Sequence, residues 1–158
     1  MIKSLALTRE IVRKKYPPFE YTIFSDTPVT PLTKPLHDCK LALLTTGGLH
    51  LKTDPPFNTR HKEGDCSYRM LPGDMEHKDI LVSHGSYDHK FINEDINCVF
   101  PIDRMREYVK QGTIKSLSEE HYSFMGHIYV TDKLLENARK VGKRLKKLGV
   151  DIALLTPT

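Results

Sequence analysis

Leu41-Ala-Leu-Leu44 is an unbroken apolar run inside Lys40–Thr46, and it stops at Gly47-Gly48. Such a run is read as a strand buried on both faces, with a tight turn or a close backbone approach behind it. Shorter strand-like runs follow at Ser67–Leu71 and Asp79–Ser83, bounded by Gly, Pro and Asp. The pattern then changes to a helical period. Ile102, Met105 and Val109 lie on one face of a helix over Pro101–Gln111, with the proline at its start and Gly112 as its stop. Leu134, Leu135, Ala138, Val141, Leu145 and Leu148 mark a second helix, with Thr131 as N-cap and Gly149 at its end. It leads directly into Val150–Thr158, a short apolar run that ends in a turn-like Thr-Pro-Thr.

Strand, long irregular excursion, helix, helix, strand predicts an α/β fold, a three-layer domain on a parallel sheet with right-handed crossovers. The chain stops at the strand after which α/β ligand sites are usually built, so the domain is expected to be incomplete at its C-terminus. Ahead of the domain, residues 1–38 are expected to form an arm, with a helix over Ser4–Lys15. The arm is proline-rich from about residue 16: Pro17, Pro18, Pro28, Pro31 and Pro35 forbid a helix and discourage a central strand. Tyr16, Phe19, Tyr21, Ile23 and Phe24 call for burial there, so the arm is expected to wrap the domain or reach a partner. Residues 39–158 form the α/β domain proper.

At 158 residues the chain suits one domain with a real core. No apolar run approaches the roughly 20 residues needed to span a bilayer, and Met1–Arg13 lacks the features of a secretory signal. A cytoplasmic protein without membrane contact is expected. The net charge of +4 is a local property. Seven basic residues between Thr131 and Leu148 face only Asp132 and Glu136, so one helix carries the excess. That is a solvated face rather than a nucleic-acid surface. Cys39, Cys66 and Cys98 are odd in number and form no CxxC pair, which indicates neither a disulfide framework nor a zinc site.

Candidate chemistry lies in the irregular middle. Gly47-Gly48 follows a strand, but GxGxxG and Gly-Lys-Ser/Thr are absent and Pro55-Pro56 interrupts any following helix, so a tight turn outweighs a nucleotide loop. In Gly64-Asp-Cys-Ser-Tyr-Arg69, a strand would place Asp65, Ser67 and Arg69 on one face. That face could bind a carboxylate bidentately through Arg69, or form a local ion pair on a wet edge. His84, in Ser83-His-Gly-Ser-Tyr-Asp-His89, is placed for general acid or base work with Asp88 orienting it, or for a His–Asp bond that merely satisfies a loop. A metal on His84, Asp88 and His89 would need a further ligand that the sequence does not place. Asp95 and Asn97 suit turns and caps, and Tyr122-Ser-Phe-Met-Gly126 reads as buried packing beside a close backbone approach.

Six blocks in order carry a family resemblance: Thr45-Thr-Gly-Gly-Leu-His50, Asp54-Pro-Pro-Phe-Asn58, Gly64–Arg69, Val82-Ser-His-Gly-Ser-Tyr-Asp88, Glu94–Arg104 and His121-Tyr-Ser-Phe-Met-Gly-His127. Together they resemble the glycine/sarcosine/betaine reductase selenoprotein B family and the related D-proline reductase selenoprotein subunit, over roughly Thr27 to Thr158. The resemblance implies reductive C–N cleavage of a small amine in anaerobic amino-acid metabolism. In such proteins a selenocysteine, or a cysteine in some homologues, attacks carbon while a pyruvoyl group on a partner subunit activates the amine. A selenolate suits the task because it is a soft, stable anion at neutral pH.

On this resemblance the chain is expected to be the N-terminal half of a larger reductase subunit and inactive alone. The selenocysteine is expected beyond Thr158, at an in-frame UGA, with no cofactor in the chain itself. Cys39, Cys66 and Cys98 do not occupy its position. Expected partners are the pyruvoyl-containing subunit and a selenoprotein A-like or thioredoxin-type carrier, in an oligomer. His84 and Asp88 are the expected catalytic residues, and Gly47, Gly48, Asp65, Arg69, Tyr87 and Asp103 the expected substrate-binding ones, with no metal ligand. The competing expectation is a non-catalytic α/β binding or scaffold protein.

Overall fold

The computed structural model describes residues 29–158, together with 25–27 and Leu7, Glu10, Ile11 and Lys14. The chain divides into two compact units, Met1–Pro31 and Leu32–Thr158. In the first unit the four described residues between 7 and 14 are helical, and Lys14 pairs with Glu10 one turn earlier at 3.2 Å. The aromatic residues Tyr16 to Phe24 lie outside the described residues.

The second unit is built round β1 (Lys40–Thr45), buried along most of its length. The strand β7 (Ile152–Thr156) runs parallel to it along one edge, in register from Leu41↔Ile152 to Thr45↔Thr156. The other edge of β1 takes two successive parallel pieces, β5 (Ser116–Leu117) and then β6 (Glu120–Phe124). Beyond them β3 (Tyr68–Pro72) pairs with β6 antiparallel, from Tyr68↔Phe124 to Pro72↔Glu120. The sheet is therefore α/β and mostly parallel, with an antiparallel strand at its rim rather than uniformly parallel. A separate antiparallel ribbon joins β2 (Leu49–Leu51) to β4 (Ile80–Val82).

Alternation along β1 divides the core. Leu41 and Leu43 pack with Phe100, Ile102 and Ile114, and with Met105 and Val109 of α2 (Ile102–Lys110), whose short predecessor α1 spans Lys90–Glu94. Ala42 points the other way, with Leu44, Tyr122 and Phe124, against Leu134, Val141 and Leu145 of α3 (Asp132–Lys147). Helices thus cover both faces, as the period-two rule requires of a strand with no polar side. The helix α2 lies one residue inside its expected bounds at each end. Thr131 stands at the N-cap of α3 as expected, although without a side-chain capping bond.

Where β5 gives way to β6, a backbone carbonyl is missing opposite Leu43. The ring of His121 fills the gap: its Nδ1 accepts the Leu43 N–H at 2.9 Å. On the outer side Glu120 receives the guanidinium of Arg144 from α3 and the Tyr122 hydroxyl at 2.5 Å, tying helix to sheet. Among the described residues no helix is long and apolar enough to cross a membrane.

Candidate active site

Parallel strands present their carboxyl ends together, and ligand sites of α/β proteins form there. Here β1, β6 and β7 end side by side. Thr46 N–H donates to Thr156 O at 3.2 Å, and Thr158 closes back on Thr46 through its N–H to Thr46 Oγ1 and its hydroxyl to Thr46 O. The hydroxyls of Thr45 and Thr156 both donate to Val99 O, at 2.9 and 2.7 Å, which brings the Ile96–Cys98 turn to the same end.

Gly47 and Gly48 take the chain off β1. Gly47 N–H donates to Thr45 Oγ1 and Gly48 N–H to Phe124 O, so both amides serve the turn and neither is left for a phosphate. Gly48 has φ +68, and a Cβ there would lie 2.4 Å from Ser83 O. Only glycine allows this approach. Its result is that Ser83 N–H bonds Gly48 O at 2.8 Å and His84 is set down beside the strand ends.

His84 is 8% exposed. Its Nδ1 accepts the N–H of Ser86 at 3.1 Å, so the ring proton sits on Nε2. That nitrogen faces Gly126: a Cβ on Gly126 would meet Thr46 O at 3.0 Å and His84 Nε2 at 3.2 Å. The Tyr87 ring lies 4.6 Å from His84 and 4.9 Å from His89, and its hydroxyl donates to Gly47 O at 2.8 Å. Burial pulls the His84 pKa below its ordinary value, and the neighbouring His127 and His89 add to that direction. Burial likewise pushes the Tyr87 phenol up to about 12. At neutral pH the pair is a neutral imidazole holding an Nε2–H outward and a protonated phenol spanning the glycine turn. Behind them, the buried His50 bonds Ser83 Oγ at 2.9 Å and bridges to Leu51 O.

Of the residues singled out from sequence, the structure brings His84, Tyr87, Gly47 and Gly48 together. The other four have local partners. Asp88 accepts the N–H of Lys90 at 2.9 Å at the start of α1, and the nitrogen of His84 that an orienting carboxylate would occupy is already held by Ser86. Arg69 spreads its guanidinium over Pro55 O, Pro56 O, Tyr68 O and Ser67 Oγ and stacks 4.3 Å over the Phe57 ring. Asp65 receives Asn58 N–H, Ser67 N–H and the Ser67 hydroxyl. Asp103 joins Asn97, Arg106 and His77, and Arg106 continues to Gly73 O and Met75 O. Partial burial pushes both carboxyls up, yet these hydrogen bonds outweigh it and hold each below the usual range.

Ser86, His127, Gly126, His50, Thr46 and Thr158 also belong to the cluster, although their spacing assigned them no role. All but Thr158 stand inside or at the ends of the family-like blocks, which was the available signal. Among the described residues no group of three or more His, Cys, Asp or Glu is placed to hold a metal ion.

The arrangement can offer an imidazole N–H to a small polar ligand at the end of a sheet whose threonine hydroxyls are tied to one another and to backbone. Comparison with known proteins gives this a context. The D-proline reductase subunit gamma of Acetoanaerobium sticklandii is 44% identical over 138 residues, 86% of this chain and 56% of that protein. The glycine reductase complex component B subunit gamma of Symbiobacterium thermophilum is 33% identical over 138 residues, 85% of this chain and 32% of that protein. The sarcosine reductase complex component B subunit beta of Peptoclostridium acidaminophilum is 29% identical over 142 residues, 86% of this chain and 32% of that protein. The chain thus spans between about a third and about half of the length of these relatives. No solved structure matches it. The family model described as glycine/sarcosine/betaine reductase selenoprotein B matches residues 10–158, and the chain belongs to that family.

Proposed function

We propose that this chain forms the substrate-side part of a reductase subunit that cleaves the C–N bond of glycine, sarcosine, betaine, D-proline or a related small amine, within a multi-subunit complex. The observation that carries the reading is the match to the family across residues 10–158, taken with the placement of three of its blocks. Thr45–His50, Val82–Asp88 and His121–His127 are far apart in sequence and meet at the ends of β1, β6 and β7.

The substrates named by the relatives share a carboxylate next to an amine carbon. His84 Nε2–H, at the sheet end that the Thr46–Thr158 hydrogen bonds close, offers a donor to such a carboxylate. Tyr87 and the Gly47-Gly48 turn form the wall behind. Asp88, Asp65, Arg69 and Asp103 support this wall by holding α1, the Pro55-Pro56 loop and the start of α2. The nucleophile is a selenocysteine or cysteine other than Cys39, Cys66 or Cys98. Cys39 is fully buried, with its thiol on Pro35 O, and the other two thiols are held above their ordinary pKa by desolvation and by nearby Asp65 or Asp95. A pyruvoyl group on a partner subunit would activate the amine, and a selenoprotein A-like or thioredoxin-type carrier would receive the product of the redox step.

The test is capture of the native complex through this chain under anaerobic conditions, followed by dithiol-dependent reduction of the four amines in turn. Turnover of one of them, lost when His84 is replaced by Ala, is the expected result. A captured complex that contains this chain and reduces none of them would overturn the reading.

A further inference from the structure

The cluster contains a second histidine whose surroundings differ in kind from those of His84. His127 is exposed, and its backbone sits at φ +53, the left-handed region, uncommon for a residue other than glycine although histidine is among the types enriched there. The fold holds it there: the next stretch is anchored by Tyr129 N–H donating to Glu63 O at 2.9 Å. In that position the His127 ring is bonded on both nitrogens, Nδ1 to Ser86 Oγ and Nε2 to the Tyr129 hydroxyl, with the two rings nearly perpendicular and 5.0 Å apart.

The partners decide what each ring can do. A backbone N–H only donates, so Ser86 N–H fixes the proton of His84 on Nε2 and the buried ring has one tautomer. A hydroxyl both donates and accepts, so neither of these two bonds fixes the tautomer of His127. Ser86 joins the two systems, giving its N–H to one histidine and its Oγ to the other.

We propose that Tyr129, His127 and Ser86 form a proton-delivery chain into the site, while His84 is a fixed neutral hydrogen-bond donor. The general-acid work for which His84 is placed in the sequence falls instead to this route. Ser86 gives its hydroxyl proton to the amine nitrogen as the C–N bond breaks. His127 passes its Nδ1 proton to Ser86 Oγ and takes the Tyr129 proton at Nε2, and Tyr129 regains a proton from solvent. The amine gains one proton, solvent loses one, and no electrons move in the relay. This rests on the reductase reading for the identity of the acceptor, but the two-tautomer state of His127 does not.

Two measurements test it separately. In the captured complex, His127→Gly keeps a residue suited to φ +53 and removes the ring. The expected result is a fall in kcat of about a hundred-fold, the scale of a lost general acid, with KM little changed and kcat partly restored by added imidazole. Unchanged kcat, or a loss that imidazole does not relieve, would overturn the proposal. In the chain itself, nitrogen-15 spectra of the imidazoles should show His84 as a single Nε2–H tautomer and His127 as two exchanging tautomers. A single fixed tautomer at His127 in the unaltered chain would overturn the relay even where the complex reduces none of the amines, the outcome that sinks the reductase reading.

Discussion

His121 and Leu43 are joined by a bond that a parallel sheet normally makes from backbone alone: the imidazole Nδ1 accepts the strand N–H at 2.9 Å. The ring is fully buried, and its Nε2 has no partner among the described residues. Burial, assisted by the charge of Arg106, pushes its pKa down to about 4. An unfolded histidine titrates near 6.5, so between those values the unfolded chain binds a proton that the fold refuses. Stability therefore rises with pH through this window and is complete above about pH 6.5, a total of ~3 kcal/mol from this residue. His84 is shifted in the same direction and adds to the slope. His121→Asn keeps an acceptor near Nδ1 and removes the titration. Chemical unfolding from pH 4 to 8 should show a flatter profile in that variant, and an unchanged slope would rule the explanation out.

The thiols offer a second check. Local desolvation is the largest cause raising the Cys98 pKa, with Asp95 adding to it, and Cys66 is raised by desolvation and Asp65. Thiolates are the reactive form, so labelling of both by a disulfide reagent at pH 7 should be slower than that of a free thiol and should accelerate above about pH 9. Cys39, with no exposed surface, should label only on unfolding. Rapid labelling of any of the three in the folded chain at pH 7 would reopen the question of the nucleophile.

What the sequence made legible was decided by where its polar residues end up. The apolar run in β1 and the 3.6-residue period of α3 announce themselves because their environments are uniform: two greasy faces in one case, one in the other. The strand β6 does not. It carries His121 and Ser123, both buried, and although Tyr122–Gly126 reads as buried packing, no strand period shows until each polar residue is seen replacing a backbone partner. His121 serves Leu43, and Ser123 Oγ accepts Leu49 N–H at 2.8 Å. A similar limit applies to the site. Residues two apart share a face only on a strand, but β3 begins at Tyr68, so Asp65 and Ser67 lie in irregular backbone ahead of it and bond each other there. His84 and Asp88 are neighbours in sequence, yet the amide of Ser86 reaches the imidazole first. Spacing cannot reveal a competition won by backbone.

Arg69 illustrates the consequence for mutation. Its guanidinium meets two consecutive proline carbonyls and a phenylalanine face, a fork geometry that an ammonium cannot reproduce. Arg69→Lys should cost about 1–2 kcal/mol, roughly the loss of one or two hydrogen bonds with partial exposure of their acceptors. It should also make the Asp54–Asn58 loop markedly more susceptible to limited proteolysis. If Arg69 instead served chiefly to bind a substrate carboxylate, the same variant would raise KM and leave both stability and the proteolytic pattern unchanged.

Two glycine substitutions should move stability in opposite directions. At Gly126, φ is +71, and a methyl group would be pressed against Thr46 O at 3.0 Å and His84 Nε2 at 3.2 Å, so Gly126→Ala should cost about 1–2 kcal/mol from the backbone alone. Because one of the crowded atoms is Nε2 of His84, the same methyl should displace that ring and shift its nitrogen-15 resonance. Gly142 lies on the exposed side of α3, where a methyl group would meet nothing within 4 Å, so Gly142→Ala should stabilise by about 0.5–1 kcal/mol. Thermal unfolding of the two variants separates a glycine required by the site from one that merely weakens a helix. Equal and small effects at both positions would mean that Gly126 does not hold His84 against the ends of β1 and β6.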